Sequence, residues 1–203
     1  MYANEIKIRL LNWLLPRLGE EDLLGSELRM LDSGVIADFV LYSPDKIVGF
    51  EIKSIRDSFN RLATQLPAYL AMFHATYLVV EEHEKRLDAL LSISSRPGIL
   101  LIREHGVEVL RPARARAYLE KKNSAAWLRR KDMPARLNKL DITTAREKLI
   151  SLQTRESLNA LAMLSVQRRL RAPHDALVSD IGLTADSDDL SNLNSRAFKI
   201  SVE

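Results

Sequence analysis

The chain has 203 residues, 46% hydrophobic and 28% charged, with a formal net charge of +3 and no cysteine. That supplies a core for one domain with an appendage or for two small domains, and it excludes disulfides and thiolate chemistry, which fits a reducing cytoplasm. The amino-terminal residues do not pair a basic start with an apolar core, and no apolar run nears the roughly 20 residues of a membrane span, so a cytoplasmic protein without membrane contact is expected.

Ile6, Leu10, Leu11, Trp13, Leu14 and Leu18 recur near helical spacing, predicting an amphipathic first helix over residues 4–18 that Asn4 caps and Pro16 kinks or ends. Leu23 to Leu31 alternates through Leu24, Ser26, Leu28 and Met30 and predicts a strand. Two β-branched runs follow, Gly34–Tyr42 and Lys46–Ser54, joined by Ser43-Pro44-Asp45, which predicts a hairpin. A polar run ending in Gln65-Leu66-Pro67-Ala68-Tyr69 predicts a helix that Pro67 kinks or begins. Strands over Ala75–Val80 and Pro97–Arg103, a helix over Glu84–Leu91 and a hairpin partner over Gly106–Leu110 complete an α/β sandwich around a mixed sheet.

Chemistry concentrates in the hairpin. Side chains alternate along a strand, so Phe50 and Ile52 point one way while Glu51 and Lys53 point the other. Asp38 lies mid-strand beside Phe39-Val40, where an unpaired charge is costly. A divalent cation between Asp38 and Glu51, with the main-chain carbonyl of Ile52 as a third ligand, resolves that cost; Mg²⁺ or Mn²⁺ suits such hard oxygen donors. Lys53 would orient a bound water or stabilise charge at phosphorus, which points to phosphodiester hydrolysis. A solvated strand face carrying a Glu51–Lys53 ion pair is the plainer alternative, as is an ordinary helix surface for Gln65 and Tyr69.

Asp38, twelve residues, then Glu51-x-Lys53 resembles the signature of the PD-(D/E)XK nuclease superfamily, and Gln65-x-x-x-Tyr69 resembles the downstream helix motif of its RecB-like and Cas4-like branch. The match covers roughly residues 1–110, with Ala37 where many members carry proline. The resemblance implies a restriction-endonuclease-like α/β sandwich with a central mixed sheet and a metal-dependent nuclease acting on DNA. In it Asp38 and Glu51 bind metal, Lys53 acts at the water, and Gln65 and Tyr69 support the site or touch DNA. It also nominates Glu5 as a further metal ligand from the first helix, with Glu27 as another candidate; a helix N-terminus favouring negative charge explains Glu5 equally well.

Beyond this core, residues 1–111, strand-like runs stop. Residues 111–148 hold twelve Lys and Arg against four Asp and Glu, whereas residues 1–110 hold twelve against sixteen. Arg111, Arg114, Arg116, Lys121, Lys122, Arg129, Arg130, Lys131, Arg136 and Lys139, with Tyr118 and Trp127 among them, are candidates for a nucleic-acid footprint or for solvated helix faces. Helices are predicted over Thr143–Gln153 and Arg155–Arg171, giving a basic helical region over 112–172 that holds a duplex or forms a homodimer. Residues 173–203 form an acidic polar tail expected to be mobile unless a partner or its own domain holds it.

The scattered histidines His74, His83, His105 and His174 form no zinc motif, and His74 reads as a core-edge residue; no nucleophile elbow or phosphate-cradling glycine loop is present. Two functions from different classes remain: a metal-dependent DNA endo- or exonuclease, and a non-catalytic nucleic-acid-binding or assembly factor. A nuclease subunit of a transposition or phage-defence system, active only with a protein partner, is a third.

Overall fold

The computed structural model describes residues 2–30, 34–54, 60–82, 91–92, 94–137 and 139–194. Helix α1 (Ala3–Leu14) starts before the expected cap: the Glu5 carboxylate accepts from Tyr2 N–H at 3.0 Å, which moves the helix start ahead of Asn4. It ends in a 3-10 turn at Leu15–Arg17 that contains Pro16. Strands β1 (Leu23–Arg29), β2 (Ile36–Ser43) and β3 (Lys46–Lys53) form an antiparallel meander. Helix α2 (Asn60–Met72) then crosses to β4 (Ala75–Glu81), which runs parallel to β3. Strand β5 (Gly98–Arg103) is parallel to β4, and β6 (Gly106–Arg111) closes the sheet antiparallel to β5. The result is one mixed six-stranded sheet in sequence order, covered by helices on both faces.

Residues 84–90 of the expected fourth-strand-to-fifth-strand helix lie outside the described residues, as does the Phe198-Lys199-Ile200 run. Pro67 sits inside α2 and is not its start. Beyond the sheet lie α3 (Lys121–Ala126), α4 (Ile142–Leu152), α5 (Arg155–Asp180) and α6 (Ser187–Asn192). Asp141 and Thr154 cap α4 and α5 through their side-chain oxygens, which fixes where each helix starts.

Two core layers sandwich the sheet. On one face, α1 packs Ile6, Leu10 and Leu14 with Phe39, Phe50, Ile52 and Val79. On the other, Tyr69 of α2 and Phe73 just past its end meet Trp127, Ala162, Val166 and Leu170 above Val40 and Ile47. The basic helical region therefore shares a core with the sheet. A satellite cluster of Leu128, Met133, Leu137, Ala145, Leu149 and Leu158 ties α4 and α5 to the intervening turns.

The acidic polar tail is held by its own domain as far as residue 194. Helix α5 continues through Pro173 to Asp180, and Leu177, Ala185, Leu190 and Leu193 bury themselves in the layer that holds α1. Pro173 removes one helical N–H, but it is buried between Leu170 and Leu177, and that packing offsets the lost bond. Among the described residues no helix is long and apolar enough to cross a membrane.

Candidate active site

The β2–β3 ladder runs from Ser43–Lys46 to Phe39–Phe50. Beyond that pair, Ile52 N–H donates to the Asp38 side chain, Oδ2 at 2.8 Å, so the carboxylate stands where a backbone acceptor of β2 would be. Glu51 lies across from Asp38 by continuation of the same register, which brings both carboxylates to the same end of the hairpin. Glu51 is 1% exposed and its Oε1 is 2.5 Å from Lys53 Nζ. Lys53 Nζ in turn donates to Gln65 Oε1 at 2.8 Å. One helical turn on, the Tyr69 hydroxyl oxygen accepts from Asp38 N–H at 3.0 Å and donates toward the Phe50 carbonyl at 3.4 Å. The i, i+4 spacing of Gln65 and Tyr69 thus aims both at the ends of β2 and β3, and the five residues that sequence spacing singled out meet in one place.

Lys7 and Glu27 complete the cluster. Lys7 of α1 sits 2.5 Å from Glu27 Oε1 and 3.7 Å from Asp38 Oδ1. Glu27 lies in β1 between the pairs Ser26–Phe39 and Leu28–Ala37, opposite Asp38. Its φ of 53° is a left-handed conformation that costs a non-glycine residue about 1 kcal/mol or more, and its carboxylate pairs with Lys7. Lys7 was legible only as a charge flanking the Ile6–Leu10 stripe. Glu5 is not part of the cluster: it is exposed and spent on capping α1, because it lies on the helix's outer first turn while Lys7 turns inward.

Burial raises the Asp38 carboxyl from its usual range to about 7, reinforced by the Glu51 charge and opposed by Lys7 and the Ile52 N–H. Tyr69 is pushed well above its ordinary value by burial, then by Asp38 and Glu51, so it stays a neutral phenol. Glu51 Oε2 is buried and has no hydrogen-bond partner. A buried carboxylate oxygen in that state costs about 1–3 kcal/mol or more unless a cation or proton reaches it.

Residues 1–194 match the family model described as bacteriophage P4 protein cII. The chain belongs to that family. No curated protein matches the sequence. A solved protein of unknown function from Silicibacter pomeroyi is similar at 17% identity and a TM-score of 0.47, over 90% of this chain and 97% of that one.

In this P4 cII family member the basic stretch is divided between structure and surface. Arg111 holds the carbonyls of Pro97 and Ser94, Lys121 that of Ile150 at 3.2 Å, and Arg130 that of Leu140 at 2.6 Å. Arg129 pairs with Asp132. Arg116 is half-buried, and burial together with Arg96 lowers its guanidinium pKa. Arg114, Lys122, Lys131, Arg136 and Lys139 are exposed. His74 is a satisfied core residue: its Nδ1 accepts from Ile47 N–H at 3.1 Å and its Nε2 meets Asn159 Oδ1 at 2.9 Å. Accepting at Nδ1 fixes the neutral tautomer with the proton on Nε2.

Proposed function

We propose that this chain is a metal-dependent nuclease of the PD-(D/E)XK kind, with a restriction-endonuclease-like core, hydrolysing phosphodiester bonds in DNA. The observation that carries the reading is the convergence of Asp38, Glu51, Lys53, Gln65 and Tyr69 from β2, β3 and α2, with a buried carboxylate oxygen of Glu51 left without a partner. Among the described residues no three His, Asp or Glu side chains are gathered as a metal cluster. Two carboxylates and a main-chain carbonyl fit Mg²⁺ or Mn²⁺, which complete their shells with water and phosphate oxygens. Asp38, Glu51 and the carbonyl of Ile52 would hold the ion, which supplies charge neutralisation at phosphate and a lowered pKa for bound water.

The chain's own residues do the rest. Gln65 and Glu51 hold the Lys53 ammonium in place, so that it meets developing negative charge without reorganising. Ile52 N–H and Lys7 orient the Asp38 carboxylate from two sides, and Tyr69 fixes its main chain. Exposed Arg114, Lys122 and Lys131 are available to the DNA backbone.

Purified protein incubated with supercoiled, linear, single-stranded and branched DNA should cleave only with Mg²⁺ or Mn²⁺. Asp38→Ala and Lys53→Ala should each lower the rate at least 100-fold, while binding persists. Lack of cleavage of every substrate, with salt-sensitive binding untouched by either substitution, would overturn the reading. One observation favours a non-catalytic nucleic-acid-binding factor instead: Lys7 pairs with Glu27 and Asp38, and Lys53 with Glu51, so the cluster already carries two cations of its own.

A further inference from the structure

A second charged cluster lies where α5 passes the end of β1. Asp132 is almost fully buried, its side chain 3% exposed, and its Oδ2 accepts from Arg129 N–H at 3.1 Å and Arg129 Nε at 3.2 Å. Ser165 Oγ lies 2.7 Å from the same oxygen and 2.9 Å from the Trp127 carbonyl, its single proton serving one of them. Arg168 Nη1 sits 3.5 Å from Asp132 Oδ1, while the Arg169 guanidinium lies 5.5 Å over the Trp127 ring and donates to the Arg29 carbonyl at 2.6 Å. Two guanidinium groups thus face one carboxylate with a third, Arg169, within its electrostatic reach, an excess of two positive charges. Arg129 Nη2 and Arg169 Nη1 are buried and donate to nothing.

Guanidinium N–H groups in that state favour an anionic acceptor, and a fork of arginines matches phosphate geometry. Arg169 holds the carbonyl of Arg29, two residues and so about 7 Å along β1 from Glu27, which itself lies opposite Asp38. We propose that Arg129, Arg168 and Arg169 form a clamp for a backbone phosphate of the nucleic acid, adjacent to the phosphodiester held at Asp38 and Glu51. Arg168 is its door: at 59% side-chain exposure and on a 3.5 Å ion pair, it is the loosest of the three and moves to admit the phosphate. Asp132 keeps the guanidinium groups from dispersing. The clamp rests on the nuclease reading for its place beside the scissile bond, but its binding is separable from cleavage.

The test is anisotropy of labelled duplex and single-stranded DNA in EDTA, across a salt series, for wild type, Arg168→Ala, Arg168→Glu and, as a same-charge control on the opposite face, Arg17→Ala. Loss of one phosphate contact should lower affinity about tenfold and reduce the slope of log affinity against log salt by about 0.9 in Arg168→Ala, more in Arg168→Glu, and by nothing in Arg17→Ala. Equal slopes in all four proteins overturn the clamp. So does protection by inorganic phosphate in a thermal shift, lost in Arg168→Ala, when DNA binding is the same in both proteins; that marks a free-anion site. Cleavage with Mg²⁺ and unchanged slopes leaves the nuclease reading standing without the clamp. Lost binding in the Arg168 variants without any cleavage leaves the clamp standing without the nuclease.

Discussion

Asp38 is the residue on which the site's pH behaviour turns. Its carboxyl titrates near 7 in the folded chain, against roughly 3.9 when unfolded. Between those values the native state keeps a proton that the unfolded chain has released. Its contribution to stability is therefore full below about pH 4 and is lost as pH climbs through 7. Asp38→Asn should remove that decline, seen as a smaller drop in denaturant midpoint between about pH 5 and about pH 8 than in wild type. A divalent ion competes with the same proton, so stabilisation by Mg²⁺ should grow over that range; stabilisation equal at both ends would show that Asp38 is not a ligand. His74 and His174 work in the other sense. Burial lowers both, so their contribution is present above about 6.5 and is lost as pH falls. The spacing of Asp38, Glu51, Lys53, Gln65 and Tyr69 was legible because alternation along a strand and one turn of helix are local rules. Lys7 and Glu27 were harder, since their meeting depends on how α1 and β1 lie across the sheet and on a left-handed residue that no local rule requires.

At the scale of elements, the contact between α2 and β3 sets how closely Gln65 and Tyr69 approach the carboxylates. Gly49 makes that approach possible: a Cβ there would stand 2.4 Å from the Phe73 ring, which is itself wedged between Tyr69 and Trp127. Gly49→Ala should destabilise the protein by about 1–3 kcal/mol in chemical denaturation, because the ring has no empty side to move into. It should also slow any cleavage by displacing α2. The meander, the crossover helix and the later strands were readable from β-branched runs and turn residues. The basic stretch was not, because composition counts charges and says nothing of their partners. Arg155 holds carbonyls of Tyr118 and Leu119, and Arg146 those of Ala126 and Leu128, so several cations serve as ties between loops and helices. Pro173, a helix stop in isolation, is tolerated where packing on both sides outweighs one lost bond.

Across the whole molecule, α5 and α6 join the two core layers around β1. Residues beyond 172 contribute Leu177, Ala185, Leu190 and Leu193 to the α1 layer, and Asn12 exchanges hydrogen bonds with Ala185. A chain shortened to residue 172 should lose about 5 kcal/mol or more, given about 1.5–3 kcal/mol for each large buried apolar side chain, and should aggregate. If it unfolds at the same denaturant concentration as the full chain, that layer does not depend on the segment. The outer side of β1 is sealed by the same segment: Leu24 N–H donates to His174 Nδ1, and Ser26 N–H to the Leu193 carbonyl. These partners stand 150 positions apart for Leu24 and His174. A nascent chain therefore carries β1 with an open edge throughout the synthesis of everything between them, a template for pairing with a neighbour on the same messenger. Loop closure over such a distance is slow, so the sealing of β1 is expected to be the late, rate-limiting event of folding and the step at which a chaperone would matter most.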